Sequence, residues 1–285
     1  MNEPGSSIPP YLKIPPAKLA RGHRVQLRIK TDPASLAQDL AAAIFAEIRQ
    51  GELSGQGATL ILPVGPVDQF PLLARMLNRQ KVSCRRTVFI NMDEYLTAAD
   101  RWIDVRHPLS FRGYMKRAFY DLLDPRLAPA PGQRVFPDPR EPGAIADLID
   151  SRGGVDACFG GIGINGHIAF NEPPDPGVRM TAARFAALPS RALTLSRETR
   201  TINAVTVGGE INLIPKRAIT VGMKEILASR RLRIYCNRPW QAGVVRRALH
   251  GPVTPDCPAS LLRTHPDASL TLARFVANLP DIQLR

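Results

Sequence analysis

The sequence predicts an α/β fold: one Rossmann-like open sheet, mostly parallel, with helices on both faces. Two observations support this prediction. Apolar runs of strand length alternate with segments of helical periodicity, and this order produces parallel strands. The chain of 285 residues has no internal repeat and no low-complexity linker in its interior. We therefore expect a Pro-rich arm over residues 1–24 and a single α/β domain over residues 25–285.

The first predicted helix covers residues 35–50, where leucines and isoleucines recur at helical spacing. Asp32 precedes it as an N-cap, and Pro33 falls in the first turn. The elements predicted next are a strand at 58–63, a helix at 68–78, a strand at 86–92, and helices at 111–123 and 143–151. Those predicted for the second half are strands at 156–159, 218–221 and 232–236, and helices at 223–229 and 241–249. Open sheets of this kind bind ligands at the carboxyl ends of their strands.

Composition and charge limit the partners. No apolar run approaches the ~20 residues of a membrane span, and the N-terminal segment lacks the apolar stretch of a secretion signal, so we expect a cytoplasmic protein with no membrane partner. The formal net charge of +13 favours anionic ligands. Its arginines are scattered without a basic tract, which favours a solvated surface over a nucleic-acid partner. The four cysteines lack zinc-site spacing, and we expect no metal.

The most informative motif is the glycine-rich run at 160–173, which follows a predicted strand. Its glycines allow backbone N–H groups to approach an anion or a sugar oxygen closely. His167 stands on this turn, and Glu172 follows five residues later. A carboxylate near a histidine raises its pKa and fixes its tautomer, as general acid–base chemistry requires. The structural alternative is a His–Glu pair that merely pins the loop.

Two other strand-end loops are predicted to meet this motif at one edge of the sheet. Gly65 and Pro66 follow the strand at 58–63, and Asp93 and Glu94 end the strand at 86–92. Adjacent strand residues point in opposite directions. We therefore expect one acidic side chain to face the cleft and the other to face solvent or cap a helix.

Together these motifs resemble the glucosamine-6-phosphate deaminase family. The resemblance rests on the order and spacing of the segments 91–95, 107–111 and 161–173, and it continues through 198–203, 215–222 and 251–266. It implies an aldose–ketose isomerisation with loss of ammonia, acting on a small amino sugar or sugar phosphate. It implies no metal or other cofactor, and it leaves a homo-oligomer open.

The resemblance also implies roles for individual residues. Asp93 would move a proton between C2 and C1 of the sugar, and His167 would assist ring opening, oriented by Glu172. Asn165 stands where the family often has Asp, and it can orient the imidazole without sharing its charge. The candidate substrate-binding residues are Gly65, Pro66, Glu94, Gly161, Gly163, Gly166, Arg200 and Arg238.

The predicted phosphate site departs from the family pattern. Gly65 is flanked by Val and Pro instead of hydroxyl side chains, and proline offers no N–H. The position of the family's phosphate-binding Arg falls at Val205, and that of its Lys falls at Gln241. Arg200 or Arg238 would have to supply the missing charge.

Two other hypotheses stay open beside a deaminase. A sugar lactone hydrolase like 6-phosphogluconolactonase shares the fold and a Gly-His turn. A non-catalytic sugar-phosphate sensor would bind ligand in the same pocket without turnover, but a sensor needs no placed base such as Asp93.

Overall fold

The computed structural model describes residues 8–64 and 68–283. The strands are β1 (Gln26–Lys30), β2 (Thr59–Leu62), β3 (Val88–Asn91), β4 (Asp93–Leu96), β5 (Arg134–Val135), β6 (Ala157–Gly160), β7 (Arg191–Thr194), β8 (Arg217–Thr220), β9 (Leu232–Cys236) and β10 (Ala268–Ala273). The α-helices are α1 (Pro33–Leu53), α2 (Gln69–Gln80), α3 (Phe111–Ala118), α4 (Ala144–Ser151), α5 (Ala182–Ala186), α6 (Arg197–Ala204), α7 (Met223–Leu227), α8 (Gln241–His250) and α9 (Arg274–Ala277).

Seven strands form one parallel sheet in the order β1-β10-β9-β6-β2-β3-β5. The chain moves outward in one direction from β2 through β3 to β5, and in the other direction from β6 through β9 to β10. The order therefore switches between β2 and β6, which is where open α/β sheets form a ligand crevice. This architecture confirms the predicted fold class.

The structure contains a second sheet that was not predicted. It contains three antiparallel strands in the order β4-β8-β7, with Asp93 opposite Thr220. The strand predicted at 218–221 is β8 of this sheet, and its short apolar run could not be assigned to one sheet or the other by periodicity. The consequence for the site is that Asp93 begins a strand of its own instead of ending β3.

Helix α1 begins as its sequence predicts. The Asp32 side chain accepts a hydrogen bond from the backbone N–H of Ser35 at 2.8 Å, and Pro33 occupies the first turn. The leucines and isoleucines that recur along α1 are buried against the sheet. The edge strand β1 was not foreseeable by the same pattern, because its sequence is half polar and its side chains are partly exposed.

The N-terminal segment packs on α8. Arg246 of α8 is fully buried, and its guanidinium donates to the backbone carbonyls of Ile14, Ala242 and Ala277 at 2.9, 3.0 and 2.7 Å. Leu19 belongs to the main hydrophobic core. Within the described residues, no helix combines the length and the apolar character needed to cross a membrane.

Candidate active site

A cavity of about 600 Å³ lies over the carboxyl ends of the central strands. Its lining includes the residues that directly follow the strands β2, β3, β6 and β9: Pro63, Met92, Gly161 and Asn237. Its walls come from α3, from α6 and from the turn before α8. A second cavity of about 500 Å³ opens at the amino ends of the strands, and no predicted site residue lines it.

Asp93 lines the cavity and is 6% exposed. Its carboxyl group forms no hydrogen bond or ion pair with any residue in the described ranges 8–64 and 68–283. Burial, together with the nearby charge of Glu94, raises the pKa of Asp93 to about 8. An unpartnered carboxyl with a raised pKa that faces a cavity has the properties of a general base.

Glu94 points the other way and does not line the cavity. It is fully buried, and its carboxylate accepts hydrogen bonds from the Ser110 hydroxyl at 2.8 Å and from the backbone N–H groups of Phe111 and Arg112 at 3.1 and 2.9 Å. Glu94 therefore caps the N-terminus of α3. Its predicted substrate-binding role is corrected: of the acidic pair, Asp93 faces the cleft and Glu94 holds a helix.

His167 lines the same cavity as Asp93. Its Nδ1 lies 2.8 Å from Oδ1 of Asn165, which also accepts the backbone N–H of His167 at 3.2 Å. Because Oδ1 can only accept, Nδ1 carries the proton, and Nε2 is left as an unprotonated acceptor. Loss of hydration lowers the pKa of His167 to about 4, which keeps the ring neutral near pH 7.

Glycine is required beneath the imidazole. A Cβ atom at Gly163 would lie 1.9 Å from Nε2 of His167, and one at Gly166 would lie 2.8 Å from Sγ of Cys257. Gly166 also has a φ of +93°, which side chains disfavour. Ala169 adopts a φ of +53° in the turn that follows the histidine. The glycines therefore serve packing around the ring, and Gly161 and Gly163 also line the cavity.

Glu172 does not contact His167 directly. Its Oε2 accepts the backbone N–H of Ser196 at 2.6 Å, while Oε1 is buried and forms no hydrogen bond with the described residues. Burial raises the pKa of Glu172, and the Thr199 hydroxyl opposes this shift. The same hydroxyl lies 3.2 Å from Nδ1 of His167. Thr199 thus lies close to both Glu172 and the imidazole.

Ser196 and Thr199 were not among the predicted site residues. Ser196 is the N-cap of α6, and its hydroxyl accepts from the backbone N–H of Thr199 at 3.2 Å and from Asn165 Nδ2 at 3.3 Å. The Ser-x-x-Thr pattern before a helical segment signals a cap in the sequence. It contains no signal that this cap packs against a histidine about thirty residues earlier.

Of the two arginines predicted to bind substrate, only one lines the cavity. Arg238 lines the cavity. Arg200 does not: its guanidinium donates to the backbone carbonyls of Ile211 and Ile214 at 2.9 and 3.3 Å and so holds the segment after α6. The substrate-binding role predicted for Arg200 is therefore corrected. Gly65 and Pro66 lie outside the described residues.

The positions that replace the family's phosphate-binding residues both line the cavity. Val205 is 71% exposed at the cavity wall. Gln241 is buried, with Nε2 donating to the backbone carbonyl of Ile162 at 2.7 Å and Oε1 accepting the backbone N–H of Arg238 at 2.8 Å. Gln241 therefore connects two loops of the site but has no charge, and the nearby positive charge is that of Arg238.

An open parallel sheet with a buried carboxyl and a neutral imidazole over its carboxyl edge has the arrangement of an enzyme that works by acid–base catalysis. A monomeric glucosamine-6-phosphate deaminase described as the missing link of the NagB superfamily superposes with a TM-score of 0.77 at 28% identity, over 90% of this chain and all of that one. The 6-phosphogluconolactonase from Plasmodium vivax shares the fold, with a TM-score of 0.63 at 16% identity over 95% of this chain and all of that one.

Relatives in sequence narrow the class further. The glucosamine-6-phosphate deaminase of Bacillus pumilus is 31% identical over 257 residues, which cover 87% of this chain and 97% of that protein. The enzyme of the same name from Porphyromonas gingivalis is 30% identical over 251 residues, covering 85% and 88%. No protein-family model matches the chain. This chain belongs to the glucosamine-6-phosphate deaminase family, which confirms the resemblance found in its motifs.

Proposed function

We propose that this chain converts a 2-amino-2-deoxy aldose into a ketose and ammonia by acid–base catalysis. Glucosamine 6-phosphate, named for its relatives, is the first substrate to test. One observation carries the proposal: an unpartnered carboxyl and an imidazole with a free nitrogen line the same cavity, at Asp93 and His167.

In the first step, the neutral imidazole opens the sugar ring. Nε2 of His167 takes the proton of the C1 hydroxyl and passes it to the ring oxygen, so the C1–O bond to the ring breaks and an open-chain aldehyde forms. Hydrogen bonds from Nδ1 to Asn165 and Thr199 hold the ring in the tautomer that this transfer needs.

In the second step, Asp93 acts as a carboxylate and removes the proton from C2. As the electron pair forms a double bond between C1 and C2, the carbonyl oxygen at C1 takes up a proton and becomes a hydroxyl. Asp93 then returns the C2 proton to C1 while the amine on C2 gives up one proton, so C2 becomes a ketimine, and water adds to it to yield the ketose and ammonia. Each proton that leaves the substrate is returned to it or to water, so the step needs no oxidant.

The test measures ammonia release from glucosamine 6-phosphate and from amino sugars with other C6 groups. Asp93→Asn is expected to abolish release while ligand binding persists, and Asp175→Asn, at an exposed position, is the matched control. Proton exchange at C1 in deuterated water provides an independent readout of the enolisation. Ammonia release by Asp93→Asn at the wild-type rate would refute the assigned base.

The competing hypothesis is a lactone hydrolase, since lactonases share this fold. Hydrolysis of a sugar lactone with no ammonia from any amino sugar would favour it. A shift in melting temperature on adding sugar phosphates, without turnover of either kind, would favour a sensor.

The cellular setting belongs to the same proposal. We propose a cytoplasmic enzyme whose partner is its small-molecule substrate, without nucleic-acid or membrane partners. The homo-oligomer that the resemblance leaves open is measured by size-exclusion chromatography with light scattering.

A further inference from the structure

One wall of the cavity combines apolar side chains with one charged group. Ile202 and Val205 come from α6 and the turn that follows it, and Trp240 comes from the turn before α8. Arg238 lines the same cavity, and among the described lining residues it is the sole lysine or arginine. The undescribed segment 65–67 is Gly-Pro-Val and adds no ionisable side chain.

The guanidinium of Arg238 is available to a ligand. The side chain is exposed, and it forms no hydrogen bond or ion pair with another described residue. The backbone of Arg238 is held by Gln241, whose Oε1 accepts from the Arg238 N–H at 2.8 Å and whose N–H donates to the Arg238 carbonyl at 3.0 Å. Arg238 therefore presents an uncommitted bidentate donor on a braced loop.

Three other arginines make contacts away from the cavity. Arg200 donates to two backbone carbonyls, Arg112 to Glu94 and to the carbonyl of Ile103, and Arg191 to the Asn171 side chain and the carbonyl of Pro189. None of these three lines the cavity, so Arg238 is the one permanent cation among its described lining residues.

Arg238 follows β9, whereas Asp93 comes after β3 and His167 comes after β6, so the guanidinium and the reacting groups approach the cavity from different strand ends. In the proposed reaction, Asp93 and His167 act on C1 and C2. The guanidinium is then placed to meet the other end of the sugar.

A single cation balances a single negative charge. A phosphomonoester carries about −1.5 to −2 charges at pH 7, so one arginine would leave part of that charge without a cationic partner among the described lining residues. A carboxylate carries one charge, and its planar pair of oxygens matches the guanidinium fork. The faces of Trp240 and the aliphatic side chains suit the carbon skeleton of the sugar.

We propose that the preferred substrate is a 2-amino-2-deoxy aldose with one negative charge at C6, a 2-amino uronate, whose carboxylate binds Arg238. This inference rests on the proposed function and names the substrate class of the same site. Arg238 is a specificity-determining residue, and its neighbours in the cavity lining, Val205 and Trp240, supply no second cation.

The experiment separates binding from turnover by using the Asp93→Asn protein. Calorimetry compares the affinities of 2-amino-2-deoxyglucuronate, glucosamine 6-phosphate and glucosamine. We expect the uronate to bind at least tenfold more tightly than the other two. The affinity for glucosamine 6-phosphate is expected to fall as pH rises past about 6, where the phosphate takes its second charge, while the affinity for the uronate stays constant.

Arg238→Gln in the same background supplies the residue-level test. We expect it to weaken uronate binding by about 10- to 100-fold, the range for a lost charge-assisted pair, and to leave glucosamine binding unchanged. Arg140→Gln removes a comparable surface charge paired with Asp138 and is the control.

The results that would overturn this inference differ from those that would overturn the proposed function. This inference is overturned if glucosamine 6-phosphate binds more tightly than the uronate. It is also overturned if Arg238→Gln and its parent bind each of the three ligands with the same affinity. Absence of ammonia release from every amino sugar by the wild-type protein overturns the proposed function, while the binding comparison still decides the charge preference.

Discussion

Oγ1 of Thr199 lies 3.2 Å from Nδ1 of His167, and the same hydroxyl offsets part of the rise that burial causes in the pKa of Glu172. A side chain of α6 thus lies close to both the acidic and the basic group of the glycine-rich motif. The same helix contributes Ile202 and Asn203 to the cavity wall. A substrate that contacts α6 therefore contacts the helix whose Thr199 orients the imidazole.

Replacing Thr199 by Val should lower kcat by about 10- to 100-fold, since the shape is kept and the hydroxyl that steadies the imidazole is lost. Because the residue does not line the cavity, KM should change little. Thr199→Ser restores the hydroxyl and is expected to recover most of the rate. Steady-state ammonia release measures both constants, and equal kcat for the Val and Ser variants would contradict the role.

The rate should depend on pH through Asp93. Its pKa is about 8, so the carboxylate form needed for C2 deprotonation declines as pH falls, and kcat/KM should drop about tenfold per pH unit below that value. His167 has a pKa of about 4 and stays neutral above pH 5. A pH–rate profile from 5 to 9 checks this, and a flat profile between 6 and 9 would exclude Asp93 as the base.

The stability of the folded protein should also depend on pH through Asp93, and it should fall as pH rises. The pKa of Asp93 is higher in the folded state than in the unfolded state, so the protonated carboxyl favours folding. This contribution to the free energy of unfolding is fully present below about pH 4 and is lost as pH rises through about 8. Asp93→Asn cannot ionise. Between pH 6 and pH 9, the free energy of unfolding of wild type should therefore fall by on the order of 3 kcal/mol relative to that of Asp93→Asn. Urea unfolding measures this difference, and Asp175→Asn should not show it.

Gly163→Ala should displace the imidazole, because the added Cβ would lie 1.9 Å from Nε2. We expect activity to fall more than about 100-fold and stability to fall by about 1–3 kcal/mol, as for other overpacked sites. Gly132→Ala is the matched control, since nothing lies within 4 Å of its Cβ position. Full activity of Gly163→Ala would mean that the ring position is not required.

Arg246→Met should release the N-terminal segment. The change leaves the carbonyls of Ile14, Ala242 and Ala277 without this donor, and the loss is expected to be about 3 kcal/mol. Limited trypsin digestion should then cut at Lys13 and Lys18 faster than in wild type. Arg247→Met, one residue along the same helix, is the control, and equal cleavage of the two variants would argue against this anchor.

Local sequence determined the elements of the main sheet that surround the site. The cap at Asp32, the strand at β9 and the glycine-rich turn after β6 all follow from near-neighbour chemistry. These features depend on residues a few positions apart, which is the range over which periodicity, capping and turn propensity act. The family resemblance rests on the same short motifs.

Tertiary structure decided what those motifs do. Pairing of Asp93 with the distant Thr220 created a second sheet, and the N-terminus of α3 took Glu94 away from the cavity. Thr199 came to lie beside His167 through packing of α6. Such contacts join residues separated by tens of positions, and their free energy comes from burial and hydrogen bonding that exist only once the chain is folded, so no local pattern encodes them.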